Sequence, residues 1–201
     1  MVKVVVLAIP GAGKTTILRR LAQERSDLRV VNFGDMMFET AKTIFNIDDR
    51  DQMRVRLKLP DYRKIQLNAA ENIARMGGVV IVDTHAVIKT PYGYYPGLPI
   101  DVARRIEPDS IVFMEFDPSD ILARRNKDAA LGLRDRGGDV PEEIEEHQRI
   151  AKEFAISASN ASSCYFLSLN FRYKESYPFQ HVDDAARQLN KHIEELLGVT
   201  S

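Results

Sequence analysis

The sequence predicts a doubly wound α/β domain on a central five-stranded parallel sheet, with helices on both faces. Three observations predict it. Five short runs rich in β-branched residues, at 2–8, 28–33, 79–82, 110–116 and 165–169, are mostly continuous in their apolar character, as strands covered on both faces are. Helical stretches separate these runs, which is the alternation of a parallel sheet. The 201 residues fit one domain with room for small inserted lobes.

In order along the chain, the first strand is too short for a membrane span, which needs about 20 apolar residues, and Pro10 and Gly11 end it. It also lacks the charged region and small-residue cleavage site of a signal peptide. A helix over 15–25 and the second strand follow. Residues 34–59 read as a polar, arginine-rich insertion. The helix over 61–76 stops at Gly77-Gly78, and the third strand ends in Asp83. After the fourth strand, Asp117 opens a helix over 118–127. A second insertion, 129–139, sets Gly132, Gly137 and Gly138 around Arg134 and Arg136, the composition of a mobile flap that meets phosphate. Pro141 and acidic residues open a helix over 141–161. The last helix, 182–197, repeats Val182, Ala185, Ala186, Leu189, Ile193, Leu196 and Leu197 at the 3.6-residue period of a core-facing helix. There is no internal repeat and no low-complexity tract.

Composition narrows the partners. A single cysteine, Cys164, excludes a disulfide framework or four-cysteine zinc site within the chain and points to a reducing, cytoplasmic setting. A formal net charge of −1 argues against general binding to nucleic acid or acidic membranes. Arg124, Arg125, Lys127, Arg134 and Arg136 nevertheless cluster against Asp128 and Asp135, which suits a small anionic ligand.

The ligand is legible in Ala8-Ile9-Pro10-Gly11-Ala12-Gly13-Lys14-Thr15-Thr16, set between the first strand and first helix. The phosphate-binding P-loop reads G-x-x-x-x-G-K-[ST]. Gly13, Lys14 and Thr15 match, and Ala8 stands where the first glycine belongs. Gly11 and Gly13 let successive N–H groups turn toward phosphate oxygens, and the following helix adds its positive dipole end. Lys14 then bridges β- and γ-phosphates, and the Thr15 hydroxyl ligates Mg²⁺. Alanine at position 8 costs about 1 kcal/mol if its φ must be positive and little in a β-like conformation. Val79-Val80-Ile81-Val82-Asp83 has the form of the partner strand, whose carboxylate holds Mg²⁺ through water.

A P-loop shows nucleotide binding only. Further segments narrow the reading: Val31-Asn32-Phe33-Gly34-Asp35-Met36-Met37-Phe38-Glu39, Asp49-Arg50-Asp51-Gln52-Met53-Arg54, Val82-Asp83-Thr84-His85, Ile88-Lys89-Thr90-Pro91-Tyr92-Gly93-Tyr94-Tyr95-Pro96-Gly97-Leu98-Pro99 and Glu145-Glu146-His147-Gln148. Together they resemble the archaeal type of adenylate kinase over most of the chain. The resemblance implies reversible conversion of ATP and AMP to two ADP. It implies a single P-loop kinase domain over 1–201, with an AMP-binding lobe at about 34–76, a short lid at about 126–140, and assembly into a homotrimer.

Physical chemistry is compatible. Phosphoryl transfer needs in-line positioning and charge neutralisation more than covalent help. The acceptor phosphate oxygen is largely ionised, its second pKa being about 6, so no general base is needed. His85 is therefore cast as a nucleotide contact or an orienter of the loop after Asp83. Asn32 and Gly34 lie at the end of the second strand, where open α/β sheets bind ligands, and are assigned to AMP. Arg54 is expected to pair with the AMP phosphate; Arg50 and Arg56 are as easily solvated. Arg125, Arg134 and Arg136 are expected to close on the transferring group, with Asp128 holding one arginine. Arg124 and Arg125 are adjacent and cannot both point the same way from a helix; Arg125 is favoured. The lid departs from the family pattern, because Ala129-Ala130-Leu131-Gly132-Leu133 separates Asp128 from Arg134.

Most other features read as structural. Met36, Met37 and Phe38 pack the lobe or meet a base. Tyr92, Tyr94 and Tyr95 line an adenine site or a subunit contact. His147 is structural or solvated, Cys164 belongs to the core, and His181 and His192 show no metal-ligand arrangement. Two other functions share these motifs: a kinase for CMP or UMP, and a P-loop ATPase switch that drives assembly of a larger particle. The arginine-rich insertion favours a kinase, since a hydrolase has no second phosphate ligand to hold.

Overall fold

A computed structural model of the chain describes residues 1–49, 52–131 and 140–198, without the side chains of residues 54 and 55. In chain order the elements are β1 (Val2–Leu7), α1 (Lys14–Glu24), β2 (Leu28–Asn32), α2 (Phe33–Phe45), α3 (Gln52–Arg56) and α4 (Leu59–Ala74). Then come β3 (Val79–Thr84), β4 (Val87–Thr90), β5 (Gly93–Pro96), α5 (Ile100–Ile106) and β6 (Ser110–Phe116). The chain continues with α6 (Pro118–Ala130), α7 (Pro141–Ser162), β7 (Tyr165–Phe171) and α8 (Gln180–Leu196).

The five predicted strands form one parallel sheet in the order β2-β3-β1-β6-β7. Its centre follows from composition. Every residue of β1 and β3 is buried, because helices cover both faces of the middle of the sheet. The outer strands β2 and β7 are partly exposed. Even Lys3 in β1 is buried; its ammonium donates to the Ala74 carbonyl at 2.9 Å and so closes the end of α4, where a cation meets the negative dipole end.

Three local expectations change. Strand β2 stops at Asn32 rather than at 33, because the Asn32 side chain accepts from the Asp35 N–H at 3.1 Å and caps α2. The stretch read as a polar insertion therefore begins as a 13-residue helix, which buries Phe33, Met37 and Ala41 at four-residue spacing. The segment after Asp83 forms an antiparallel hairpin, β4 with β5, separate from the main sheet. Its return to the core requires Gly97, where a Cβ would lie 2.3 Å from the His85 carbonyl oxygen.

Candidate functional site

A cleft of roughly 910 Å³ opens at the carboxyl ends of the strands, the place where open parallel sheets bind ligands. One of its sides is built by consecutive residues. Gly11 and Gly13 take φ of 88° and 90°, a turn that other residues adopt only with strain. Gly13 is also the N-cap of α1 and brings no capping side chain. The Thr16 N–H turns back to the Gly13 carbonyl at 3.0 Å, the N–H groups of Lys14 and Thr15 stand at the positive end of the helix where anions bind, and no acidic residue occupies that turn. Ala8 is buried and is not among the residues with positive φ. The missing glycine therefore costs the loop no backbone strain.

Lys14 is 6% exposed, and its ammonium pairs with an Asp83 carboxylate oxygen at 2.5 Å. It also donates to the carbonyls of Val6 and Thr84. Burial pushes the ammonium below its ordinary pKa, and Asp83 works against that shift. The other Asp83 oxygen accepts from the Asn32 amide at 2.9 Å. Sheet register explains this chain of contacts: Asp83 lies beside Val6 on β1 and beside Asn32 on β2. Thr15 is exposed at the start of α1 and lines the same cleft.

The opposite side comes from several elements. Asn32 and Gly34 line it from the β2–α2 junction, Tyr62 and Gln66 from α4, and His85 from the turn after β3. A ring nitrogen of His85 lies 2.7 Å from the Ala8 carbonyl oxygen, so His85 ties the hairpin base to the phosphate loop. Arg54 falls in α3, with its side chain outside the described residues. Arg134 and Arg136 also lie outside the described residues.

The two adjacent arginines of α6 divide as helix geometry demands. Arg125 shares the buried face with Ile121, and its guanidinium donates twice to the Pro10 carbonyl, at 3.0 and 2.6 Å. Arg124 lines the cleft and donates to the Ala12 carbonyl at 2.9 Å. Between them the two arginines tie down two carbonyls of the loop, those of Ala12 and Pro10. The sequence reading favoured Arg125 for the cleft; the i, i+4 pairing with Ile121 was the available signal that it is Arg124 that faces inward. Tyr62 and Gln66 were also missed, although they repeat on the buried face of α4 with Ala69, Ala70 and Ile73. Residues 175–182, which close the phosphate-loop side, carried no recognisable signal.

Among the described residues no group of three or more His, Cys, Asp and Glu could hold a metal, and no helix is long and apolar enough to cross a membrane. His147 packs its ring 5.3 Å from that of Tyr94, and the Tyr95 ring meets Tyr62 edge-on at 5.7 Å. These aromatics join the hairpin to α7 and α4, while Tyr92 at the hairpin tip is 99% exposed.

Known proteins bear on this arrangement. A family described as an AAA domain matches residues 7–145. An adenylate kinase of Pyrobaculum aerophilum is 47% identical over 188 residues, covering 93% of this chain and 94% of that enzyme. The adenylate kinase of Pyrococcus horikoshii is 37% identical over 194 residues, 95% of this chain and 94% of that enzyme. Among solved structures, a shikimate kinase from Acinetobacter baumannii in complex with shikimate shares the fold. Its TM-score is 0.58 at 12% identity, over 98% of this chain and 94% of that one.

Proposed function

The chain belongs to the adenylate kinase family, and from that premise we propose how its cleft moves the γ-phosphoryl of ATP reversibly onto AMP. It is a nucleoside monophosphate kinase. The observation that carries the division of labour is the line Lys14–Asp83–Asn32. It joins the phosphate loop to the end of β2 and sets two ligand sites on one cleft.

On the donor side, residues 8–16 form the loop around the ATP phosphates, with backbone N–H groups at its helix end as donors, and Lys14 exchanges its carbonyl contacts for phosphate oxygens. Arg124 faces the donor nucleotide. Arg134 and Arg136 belong to a lid over about 126–140 that neutralises charge on the transferring group, and Arg125 beside it holds the phosphate loop through the Pro10 carbonyl. On the acceptor side, Asn32, Gly34 and His85 hold AMP, and Arg54 pairs with its phosphate within a lobe at about 34–76. The acceptor oxygen needs no base.

Magnesium fits the residues present. Thr15 and Asp83 offer a hydroxyl and a carboxylate on one cleft, and so sparse a protein set suits an ion that keeps waters and phosphate ligands. When bound, Mg²⁺ neutralises phosphate charge. We place the enzyme in the cytoplasm as a homotrimer, on the single reducing-type cysteine and on family resemblance respectively.

A coupled assay with ATP and each nucleoside monophosphate tests the reading. AMP is expected to turn over fastest. Faster turnover of CMP or UMP would overturn the acceptor assignment, and partner-stimulated ATP hydrolysis without AMP would point to an assembly ATPase instead.

A further inference from the structure

His181, the second residue of α8, is 1% exposed, and both of its ring nitrogens are engaged. One, Nε2, lies 2.8 Å from the Tyr173 carbonyl oxygen; the other, Nδ1, lies 3.1 Å from an Arg124 guanidinium nitrogen. A carbonyl cannot donate and a guanidinium cannot accept. The proton therefore sits on Nε2, and Nδ1 is the acceptor for Arg124. The ring is wedged 4.7 Å from that of Tyr173 and 5.9 Å from that of Phe116, and a Glu175 carboxylate oxygen, which accepts from the His181 backbone N–H, stands 3.5 Å from Nδ1.

Arg124 is thereby held at three points. One nitrogen donates to the Ala12 carbonyl, another to His181, and the guanidinium carbon stands 5.1 Å over the Phe116 ring. A Cβ on Gly13 would lie 3.9 Å from the same guanidinium, which places the charge against the turn of the phosphate loop. An arginine has many rotamers to lose, and a contact that orders it before the ligand arrives spares that cost on binding.

We propose that His181 is a positioning residue for the donor nucleotide, acting through Arg124. The inference rests on the donor-side reading above. His181 belongs to the closing loop and helix at the far end of the chain, 57 residues from Arg124, so the last helix takes part in donor binding as well as in the core.

The test compares Arg124→Ala, His181→Phe, the double variant and His181→Asn with the wild-type enzyme. Phenylalanine keeps the ring packing and removes the acceptor; asparagine keeps an acceptor oxygen near the Nδ1 position. The KM for ATP is expected to rise about tenfold in His181→Phe, with the KM for AMP within about twofold. The double variant is expected to be no worse than Arg124→Ala alone, because the two residues act as one unit. His181→Asn is expected to restore the ATP KM to within about threefold of wild type. Three results would overturn the proposal: an unchanged ATP KM in His181→Phe beside a weakened Arg124→Ala, losses that multiply in the double variant, or His181→Asn as impaired as His181→Phe at equal melting temperature. An Arg124→Ala enzyme with normal ATP KM would instead remove the donor-side reading itself.

Discussion

The two sides of the cleft are made differently. The heart of the donor side is nine consecutive residues, 8–16, directly after the buried central strand β1, with its conformation set by two positive-φ glycines. The acceptor side is gathered from the end of β2, from α2 and α4, and from the turn into the β4–β5 hairpin. A loop whose chemistry is backbone N–H groups can be written in one short motif. A pocket whose chemistry is side chains must be collected from elements that meet only after folding. Damage to the phosphate loop should therefore appear as lost chemistry, and damage to the side chains gathered around the cleft as lost affinity for one substrate.

The sharpest break is expected from Lys14→Ala, which should lower kcat by roughly 10³-fold or more with the fold retained. Near-normal turnover, measured alongside circular dichroism, would remove Lys14 from the mechanism. Asp83→Asn touches both sides, since it ends the ion pair with Lys14 and faces Asn32. A fall in kcat of about 100-fold with a higher Mg²⁺ requirement is expected, and a magnesium titration reads it. Arg54→Ala should raise the KM for AMP about tenfold and leave that for ATP alone; an effect confined to ATP would reassign the residue.

Gly97→Ala probes how the acceptor side is assembled rather than what it binds. Its methyl would meet the His85 carbonyl, at a cost of about 2 kcal/mol. The expected result is a melting temperature lower by about 4–8 °C and a several-fold higher AMP KM at unchanged ATP KM. The smallest effect belongs to neither side. Burial pushes the Glu115 carboxyl up, but Lys152, Ser168 and Arg172 outweigh it and hold the group below its ordinary value of 4.5. A carboxyl depressed in the folded state stabilises above its unfolded pKa and loses that contribution as pH falls through the folded value. Glu115→Gln should therefore melt lower than wild type at neutral pH, by about 1 kcal/mol of stability. The gap should narrow as pH falls below 4.5 and through the lower folded value, with both KM values unchanged throughout.

Much of this was legible in the linear sequence, and unevenly so. The five strands and the phosphate loop could be read because each depends on neighbours in the chain: continuous burial writes an apolar run, and a positive-φ turn writes glycine. The capped start of α2 was also present, as Asn32 followed by Asp35 and by Phe33, Met37 and Ala41, but the arginines around it drew attention to charge instead of period. The β4–β5 hairpin writes a positive-φ glycine at its turn, Gly93, but the need for Gly97 is not local, because it comes from the His85 carbonyl at the base of the hairpin.

By itself, then, the sequence determined the sheet, the loop and its lysine, and by resemblance the kinase family. Tertiary structure alone decided that Ala8 keeps an unstrained backbone and that His181, near the end of the chain, grips Arg124. Those outcomes depend on the direction in which a side chain leaves its helix and on what stands opposite. Both are set by packing between segments far apart in sequence, and no local pattern encodes them.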